Sequence, residues 1–336
     1  MNFKHFYLTC ETKSNSAMKK VTAIVAGGAG FIGSHLCLRL LELGRRVIAI
    51  DNLSTGNIDN LNQIQWNPNF ELVISDIVNP INITMPVQEI YNMACPASPL
   101  KYQSNPIETF RTSTIGSYNL LEFARHHNSR ILLASTSEVY GDSLKSPQTE
   151  DYFGNVNPIG IRSCYDEGKR GAESLFADYN RCYGVDTRIV RIFNTYGPRM
   201  MSDDGRVIPS FINQALHGEP LTINGDGSQT RAFMFIDDLI DALMLMMRDG
   251  VTHMPVNLGN PTEITINSLA SIIIDATGSK SWTSYRPMPS DDPRKRCPDI
   301  SRARSELCGW SPRVSLSEGL ENTINYFRKL HYDTVH

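Results

Sequence analysis

Short apolar runs alternate with amphipathic stretches along much of the chain. Residues 21–26 form an apolar run of strand length, and residues 31–44 repeat their apolar positions at helical spacing and end on a glycine. Further runs of strand length occupy residues 45–52, 70–76, 89–94 and 130–136. Apolar strands separated by amphipathic helices are typical of a parallel sheet that is buried on both faces. The pattern therefore predicts an α/β fold with a doubly wound parallel sheet, whose ligand lies beyond the carboxyl ends of the strands.

The pattern changes after residue 195, where polar loops such as residues 197–206 and 224–231 separate shorter elements. We expect residues 21–195 to hold the sheet. Residues 196–336 would form mainly a smaller C-terminal lobe, with some segments returning to the first domain. Residues 1–20 interrupt their apolar positions with charged side chains, and we expect them to be a flexible N-terminal tail.

Composition excludes several classes of function. The 336 residues carry a net charge of −3, with no basic excess that would indicate a nucleic-acid partner. The seven cysteines are scattered without a C-x-x-C pair, so the sequence predicts neither a metal site nor a disulfide framework. No apolar run approaches the length that spans a bilayer. We therefore expect a soluble protein of the reducing cytoplasm, without a membrane partner.

Three glycines separate the first strand from the first helix. Gly27, Gly30 and Gly33 give the spacing G-x-x-G-x-x-G, which permits a tight turn and a close approach of the backbone to a pyrophosphate at the helix N-terminus. The spacing alone is weak evidence, since a glycine turn can be purely structural. Asp51 strengthens it, because a carboxylate at the end of the second strand can bind both ribose hydroxyls and repels a 2′-phosphate. The sequence therefore predicts a Rossmann-type NAD-binding domain.

Both acidic positions near this turn have a structural alternative. Asp51 could cap a turn with Asn52 instead of binding ribose. Asp76, which ends the next strand, is a candidate for the adenine edge of the cofactor, and it could equally cap a loop.

A second set of residues has the chemistry of an acid/base site. Tyr165 and Lys169 lie four residues apart in a segment of helical periodicity, so both side chains project from one face. An adjacent ammonium and a positive nicotinamide ring favour the phenolate, which can then remove a hydroxyl proton. An ordinary surface pair is the alternative. Thr136, Ser137 and Glu138 follow a buried strand, where this fold collects its chemistry, so we expect all five residues to assemble one site.

Six blocks of the chain resemble signature sequences of the UDP-glucuronate decarboxylases, which are extended short-chain dehydrogenases/reductases. They are ACPASP (94–99), STSEVYG (135–141), NVNPIGIRSCYDEGKR (155–170), RIFNTYGPRM (191–200), GDGSQTR (225–231) and DDPRKRCPDI (291–300). The glycine and Y-x-x-x-K motifs occur throughout the superfamily, whereas CPASP, NVNPIG and the last block are far more specific. Related 4,6-dehydratases carry Thr-Asp-Glu where this chain has Thr136, Ser137 and Glu138.

The resemblance implies NAD-dependent decarboxylation of UDP-glucuronate to UDP-xylose, through a 4-keto intermediate with hydride return. The catalytic residues it implies are Thr136, Glu138, Tyr165, Lys169 and Arg296. The cofactor contacts are Gly27, Gly30, Phe31, Ile32, Gly33, Asp51, Asn52, Asp76, Ile77, Tyr165, Lys169, Thr195 and Arg206. The substrate contacts, mainly to the UDP-sugar, are Arg111, Asn119, Ser137, Asn194, Arg231 and Arg296. For Arg296, a solvated basic run at residues 294–296 is the alternative.

Other functions on the same framework stay open. A nucleotide-sugar 4-epimerase or a 4,6-dehydratase would use the same cofactor and the same Tyr/Lys pair. A decarboxylase that releases NADH and a 4-keto pentose is a closer alternative, and an NAD-binding sensor or scaffold is a non-enzyme alternative. The resemblance also implies a homodimer formed by helices around residues 113–127 and 165–183, whose outer faces would have to be apolar.

Overall fold

The computed structural model describes residues 21–288 and 296–335. The predicted N-terminal tail and residues 291–295 of the arginine-rich block lie outside the described residues. The central sheet consists of the parallel strands β1 (Thr22–Ala26), β2 (Arg46–Asp51), β3 (Phe70–Ile74), β4 (Glu89–Asn92), β5 (Arg130–Thr136), β6 (Thr187–Ile192) and β7 (Val256–Leu258). Their order across the sheet is β7-β6-β5-β4-β1-β2-β3. The predicted α/β fold with a doubly wound parallel sheet is confirmed.

Helices cover both faces of this sheet. In the described part of the chain they are α1 (Phe31–Glu42), α2 (Pro99–Ser104), α3 (Pro106–Arg111), α4 (Ser117–His127), α5 (Ser163–Tyr183), α6 (Val207–Leu216), α7 (Ile236–Met246), α8 (Ile266–Thr277), α9 (Ser301–Glu306) and α10 (Leu316–Val335). Helices α4 and α5 pack on one face. Helices α1 and α7, with the helices that follow, pack on the other.

Each strand sends alternate side chains into two hydrophobic cores. Ala23 and Val25 of β1 face the core under α1 and α7, whereas Ile24 and Ala26 face the core under α4 and α5. All four are fully buried. Burial on both faces explains why the strands form continuous apolar runs in the sequence, without the polar alternation of a one-sided sheet.

Helices α3 and α4 are joined without a break by a π-helical turn, Thr112–Gly116. The turn presses the helix against the loop that follows β3: a Cβ at Gly116 would lie 2.5 Å from Cδ1 of Ile77. Only glycine permits this approach. The turn therefore sets the position of the loop, which adjoins the glycine turn at the carboxyl edge of the sheet.

Beyond residue 195 the chain adds one strand to the central sheet and forms several small two-stranded sheets. Residues 256–258 return to the sheet as β7, next to β6. The other strands form two-stranded pairs: Thr195–Tyr196 with Met234–Phe235, Leu221–Asn224 with Thr283–Arg286, and Thr230–Ala232 with Glu263–Thr265. The boundary between domain and lobe at residues 195 and 196 stays a prediction.

The strand order reverses between β4 and β2, on either side of β1, so a crevice forms at the carboxyl ends of these strands. The glycine turn, the loops after β2 and β3 and the turn after β5 all meet at this edge. Among the described residues, no helix combines the length and the apolar character that crossing a membrane requires.

Candidate active site

A cavity of about 120 Å³ lies between the glycine turn and residues 199–206. Six of the predicted cofactor contacts line it: Gly27, Gly30, Phe31, Ile32, Gly33 and Arg206. No role was predicted for several other lining residues, although three of them lie in the quoted blocks 94–99 and 191–200; they include Met93, Cys95, Ser98, Lys101, Arg199 and Met201. They come from segments 93–101 and 199–206, which the fold brings opposite the turn.

The turn itself requires glycine. Gly27 has a φ of +78°, and a Cβ there would lie 2.9 Å from the backbone of Ala94. A Cβ at Gly33 would lie 2.0 Å from the carbonyl oxygen of Gly27, which no rearrangement of a side chain could relieve. Because these glycines have no side chains, a ligand can reach the N-terminus of α1, where N–H groups outside the helical hydrogen bonds favour an anion.

Asp51 lies buried at the end of β2, where it holds two backbone segments. Its carboxylate accepts hydrogen bonds from the N–H of Ala29 at 2.9 Å and from the N–H of Leu53 at 2.8 Å. Burial raises the pKa of Asp51 above its ordinary value. A carboxylate has about four acceptor positions, so two remain for ribose hydroxyls. Asp51 therefore caps the turn after β2, as the alternative proposed, and it can still bind the ribose as well.

The loop after β3 is held by three polar side chains. Asp76 accepts a hydrogen bond from Asn52 Nδ2 at 2.7 Å and another from the N–H of Val78 at 2.9 Å. Asn119 donates from its Nδ2 to the carbonyl oxygen of Ile77 at 2.9 Å. Asp76 therefore caps the loop, which was the alternative to its role at adenine. Asn119 holds the loop after β3, on the side of the crevice where the cofactor is predicted. It was predicted to contact the substrate sugar instead.

The cavity beside the glycine turn fits an anionic dinucleotide. Arg199 lines it, and its buried Nη1 has no hydrogen-bond partner within the described part of the chain. A buried guanidinium nitrogen without a partner is costly unless an anion reaches it. Arg206 is paired with Asp204 in the same wall. Thr195 donates its hydroxyl to the carbonyl oxygen of Phe193 at 3.0 Å, so that hydroxyl is already engaged.

Thr136, Tyr165 and Lys169 come together at the end of β5. Tyr165 forms a hydrogen bond with Thr136, and its ring stacks on Tyr102 with centroids 4.9 Å apart. The Nζ of Lys169 donates to the carbonyl oxygen of Ala134 at 2.9 Å and lies 5.9 Å from the centroid of the Tyr165 ring. All three catalytic candidates are buried, so the surface-pair alternative is wrong.

Burial governs the ionisation of this pair. It raises the pKa of the Tyr165 phenol well above its ordinary range, and the hydrogen bond from Thr136 opposes that rise. Burial also lowers the pKa of Lys169. The expectation that the neighbouring ammonium favours the phenolate therefore needs correction: desolvation outweighs it, because both groups lie out of water. A further positive charge beside the phenol is required to bring its pKa down.

A cluster of carboxylates and arginines adjoins Tyr165. One carboxylate oxygen of Glu138 accepts a hydrogen bond from Nη2 of Arg162 at 2.5 Å. Its other oxygen lies 2.8 Å from Nη2 of Arg296. Arg296 also donates to Oδ1 of Asn194 at 3.3 Å. The Arg296 side chain is only 12% exposed, so Arg296 itself is not a solvated residue, whereas residues 294 and 295 of the basic run lie outside the described residues. Arg162 and Asp166 also belong to the cluster; both lie in the block at residues 155–170, although no role was predicted for either of them.

The cluster borders a second cavity of about 230 Å³. Its lining is Glu138, Gly141, Asp142, Asn155, Val156, Asn157, Gly160, Arg162 and Asp166. The NVNPIG block therefore forms one wall, and the carboxylate–arginine cluster forms another. Ser137 is buried in the short turn between Thr136 and Glu138.

None of the six predicted substrate contacts is among the residues that line the two cavities. Arg111 is exposed at the end of α3, where it pairs with Glu108 at 2.8 Å one helical turn away. Arg231 is buried in the strand Thr230–Ala232, and its guanidinium donates to the carbonyl oxygen of Thr230 at 2.9 Å.

Comparison with known families gives one family model. It is the NAD dependent epimerase/dehydratase family, and it matches residues 23–259. The chain is also 51% identical over 311 residues to UDP-glucuronic acid decarboxylase 2 of Arabidopsis thaliana, an alignment that covers 93% of this chain and 69% of that protein.

Solved structures similar to this chain contain nucleotide sugars. UDP-glucose 4-epimerase of Thermotoga maritima with UDP-glucose has a TM-score of 0.85 and 32% identity, covering 93% of this chain and all of that one. UDP-glucuronic acid 4-epimerase of Bacillus cereus, in complex with UDP-glucuronic acid and NAD, has a TM-score of 0.83 and 28% identity. That alignment covers 92% of this chain and 100% of the other.

Proposed function

The chain belongs to the UDP-glucuronic acid decarboxylases of the NAD dependent epimerase/dehydratase family, and we propose that it converts UDP-glucuronate to UDP-xylose and carbon dioxide. One observation carries this proposal: Glu138, Arg162 and Arg296 form a charged cluster beside Tyr165. An epimerase that acts on a neutral sugar such as that of UDP-glucose needs the tyrosine, but its substrate has no carboxylate to position. Two buried arginines next to the acid/base residue suit a substrate whose sugar ring bears a carboxylate.

The chain's own residues would hold NAD along the first cavity. The glycine turn and Arg199 would receive the diphosphate, and Asp51 would receive the ribose hydroxyls of the adenosine. Thr195 and Arg206 remain proposed contacts to the cofactor. When bound, NAD would accept the hydride of C4 and return it, so that a ketone exists at C4 for part of the cycle.

Tyr165 would act as the base that removes the proton of the 4-hydroxyl group. Its phenol is buried beside Thr136, whose hydroxyl can bond the same sugar oxygen. Lys169 would bind the nicotinamide ribose and add positive charge near the phenol. Because burial raises the pKa of Tyr165, this charge and that of the cofactor are needed to generate the phenolate.

The carboxylate–arginine cluster would position the acid group that leaves. A carboxylate β to a ketone loses carbon dioxide because the departing electron pair delocalises into the carbonyl as an enolate. Thr136 and Tyr165 can stabilise that enolate through hydrogen bonds. Arg296 and Glu138 would orient the ring, and Asn194, bonded to Arg296, would extend the site towards the diphosphate. Ser137 remains a proposed contact to the sugar.

A homodimer is part of the proposal. The outer surface of α3, the π-helical turn and α4 carries exposed apolar side chains, among them Ile107 (72% exposed), Ile115 (41%) and Tyr118 (48%). Tyr183 at the end of α5 is also exposed. Such a surface on two adjacent helices supports burial against a second copy of the same helices.

The test of the proposed activity is identification of the product. Purified protein is incubated with NAD and UDP-glucuronate, and the nucleotide sugar is analysed by mass spectrometry and by proton NMR. The proposal predicts UDP-xylose and one equivalent of carbon dioxide. Formation of UDP-galacturonate would assign an epimerase, and net accumulation of NADH would assign a decarboxylase that releases a 4-keto pentose.

A further inference from the structure

Asp166 is a buried acid for which the proposed mechanism has no use. It follows Tyr165 on α5, is 6% exposed, and lines the cavity beside Glu138 and Arg162. Its Oδ1 has no hydrogen-bond partner among residues 21–288 and 296–335. Its Oδ2 lies 3.9 Å from Nε of Arg162, a separation too long for a hydrogen bond. A carboxylate in this position is poorly compensated, because Glu138 takes the close contacts of both arginines.

The charged groups around Asp166 come from several elements. Glu138 follows β5, Arg162 precedes α5, Arg296 belongs to the C-terminal segment, and Glu167 is on α5 itself. The titratable Tyr102 of α2 and Cys164 of α5 also interact with it. Burial and then the charge of Glu138 raise the pKa of Asp166 to about 7, against the opposing effect of the two arginines. Asp166 can therefore change its charge near neutral pH.

The described part of this cluster holds no excess of positive charge that could offset a further anion. Arg162 and Arg296 face the carboxylates of Glu138 and Asp166, and another acid, Asp142, lines the same cavity. The carboxylate of the proposed substrate would add one more negative charge to this cavity. A like charge at short range disfavours the ionised form of a buried acid, so a proton must enter when the uronate binds.

We propose that Asp166 takes up one proton when the uronate enters, holds it through decarboxylation, and supplies it to the cluster once carbon dioxide has left. The inference rests on the proposed function. It assigns to Asp166 a positioning role that acts through Glu138 and links substrate binding to pH.

The proton balance of the reaction agrees with this role. The bond between the carboxylate carbon and C5 breaks, its electron pair enters the ketone as an enolate, and carbon dioxide leaves as a neutral molecule. A C–H bond then forms at C5, so each turnover consumes one proton. The negative charge then lies on the enolate, whose oxygen is beside Thr136 and Tyr165, and no longer on a carboxylate next to Glu138 and Asp166. Asp166 then becomes a stronger acid and releases its proton towards Glu138 at the moment when C5 requires one.

A purely structural role is the competing explanation, since an acid in the first turn of α5 interacts favourably with the helix dipole. That role would leave proton uptake unchanged when a ligand binds. Proton uptake is therefore the measurement that separates the two explanations. It needs no turnover, so it is independent of the product analysis that tests the activity.

The experiment is titration calorimetry of NAD-loaded Tyr165→Phe protein in two buffers of different ionisation enthalpy. At pH 8, we expect UDP-glucuronate to bind with uptake of about 0.5–1 proton per site, and UDP-xylose, which lacks the carboxylate, to bind with uptake near zero. Adding Asp166→Asn should abolish the uptake with UDP-glucuronate. Adding Asp178→Asn, an exposed acid on the same helix, should leave it unchanged.

Steady-state kinetics give a second readout in protein that retains Tyr165. Above pH 7, the KM for UDP-glucuronate should rise about tenfold per pH unit as Asp166 ionises in the free enzyme. Asp166→Asn should give a KM that is flat with pH and a kcat about 10–100-fold lower, because an amide cannot supply the proton.

Three results would overturn the inference: equal uptake with the two sugars, uptake that survives Asp166→Asn, or an unchanged pH profile in that variant. If Asp166→Asn does not fold, the comparison of the two sugars on protein with Asp166 intact still decides, since equal uptake contradicts the proposal. Failure of wild-type protein to form UDP-xylose would instead contradict the proposed function.

Discussion

At the scale of single residues, the site depends on side chains whose ionisation the fold controls. Tyr165 and Lys169 are both removed from water, which disfavours the charged form of each. A phenol with a raised pKa is inert until positive charge is placed beside it. Binding of the cofactor would therefore activate the base, and the free protein would be protected from unproductive proton transfer.

Replacing Tyr165 by Phe tests this residue. Turnover of UDP-glucuronate should fall by about 10²–10⁴-fold, the usual contribution of a positioned acid/base group. The affinity for NAD should stay within about threefold, because the phenyl ring retains the packing against Tyr102. Stopped-flow kinetics and titration calorimetry measure the two quantities. Turnover close to wild type would show that another group removes the proton.

Asp51 is expected to select the cofactor. Asp51→Asn removes the negative charge but leaves one oxygen to accept from Ala29 or Leu53. The Kd for NAD should rise about 10–100-fold through loss of charged hydrogen bonds to ribose, and discrimination against NADP should weaken. Fluorescence titration with both dinucleotides checks this. Asp59→Asn, an exposed acid in the next turn, is the control, and an equal loss of NAD affinity there would remove the basis for the assignment.

At the scale of secondary structure elements, α5 carries the catalytic pair and must be fixed to the sheet. Glu173 on α5 forms a two-point ion pair with Arg191 of β6, at 2.7 and 2.9 Å, and accepts from Ser135 of β5 at 2.6 Å. Both charged side chains are 12% exposed. This contact ties the helix to two adjacent strands directly below Tyr165 and Lys169.

Glu173→Gln should therefore loosen the helix. It leaves the Arg191 guanidinium without its charged partner, and we expect the free energy of unfolding to fall by about 2–4 kcal/mol. Urea denaturation followed by circular dichroism measures the change. Glu167→Gln on the same helix, in a more exposed pair with Arg170, should cost less than about 1 kcal/mol. Equal effects of both variants would contradict the anchoring role.

Strands and helices could be predicted because their signal is local. The apolar run at 130–136 became β5 over its whole length, and the glycine turn was evident from spacing alone. The partners of the site were not local: Arg162 and Asp166 reach Glu138 only because the segment before α5 folds back over the end of β5. Arg199 likewise meets the glycine turn across the crevice. Both arginines lie in blocks that carry the resemblance, but nothing in the local sequence indicates which partners they meet.

At the scale of the whole molecule, the two halves of the crevice come from opposite sides of residue 195. Residues before 195 supply the glycine turn, Asp51 and Tyr165, while Arg206 and Arg296 come from the C-terminal half. The cavity at the glycine turn is therefore lined from both sides of residue 195, whereas the residues that line the second cavity all precede residue 195. The exposed apolar surface of α3 and α4 lies outside both cavities and is available for a second copy.

The dimer surface is tested by placing a charge on it. Tyr118→Asp puts a carboxylate into the proposed apolar interface, and we expect the protein to shift from dimer to monomer at micromolar concentration. Size-exclusion chromatography with light scattering measures the mass. Trp66→Asp changes a more exposed aromatic residue that lies outside these helices, and it should leave the dimer intact. A wild-type protein that is already monomeric would contradict the proposal.

The most direct test of the whole mechanism follows the hydrogen atom on C4 of the sugar through the reaction. UDP-glucuronate with deuterium at C4 is converted by the purified protein in the presence of unlabelled NAD, and the product is examined by NMR and mass spectrometry. Transient oxidation with return of the same hydride predicts UDP-xylose that has lost one carbon dioxide and retains deuterium at C4. A product that keeps all its carbon atoms, or a pentose without the label at C4, would contradict the mechanism.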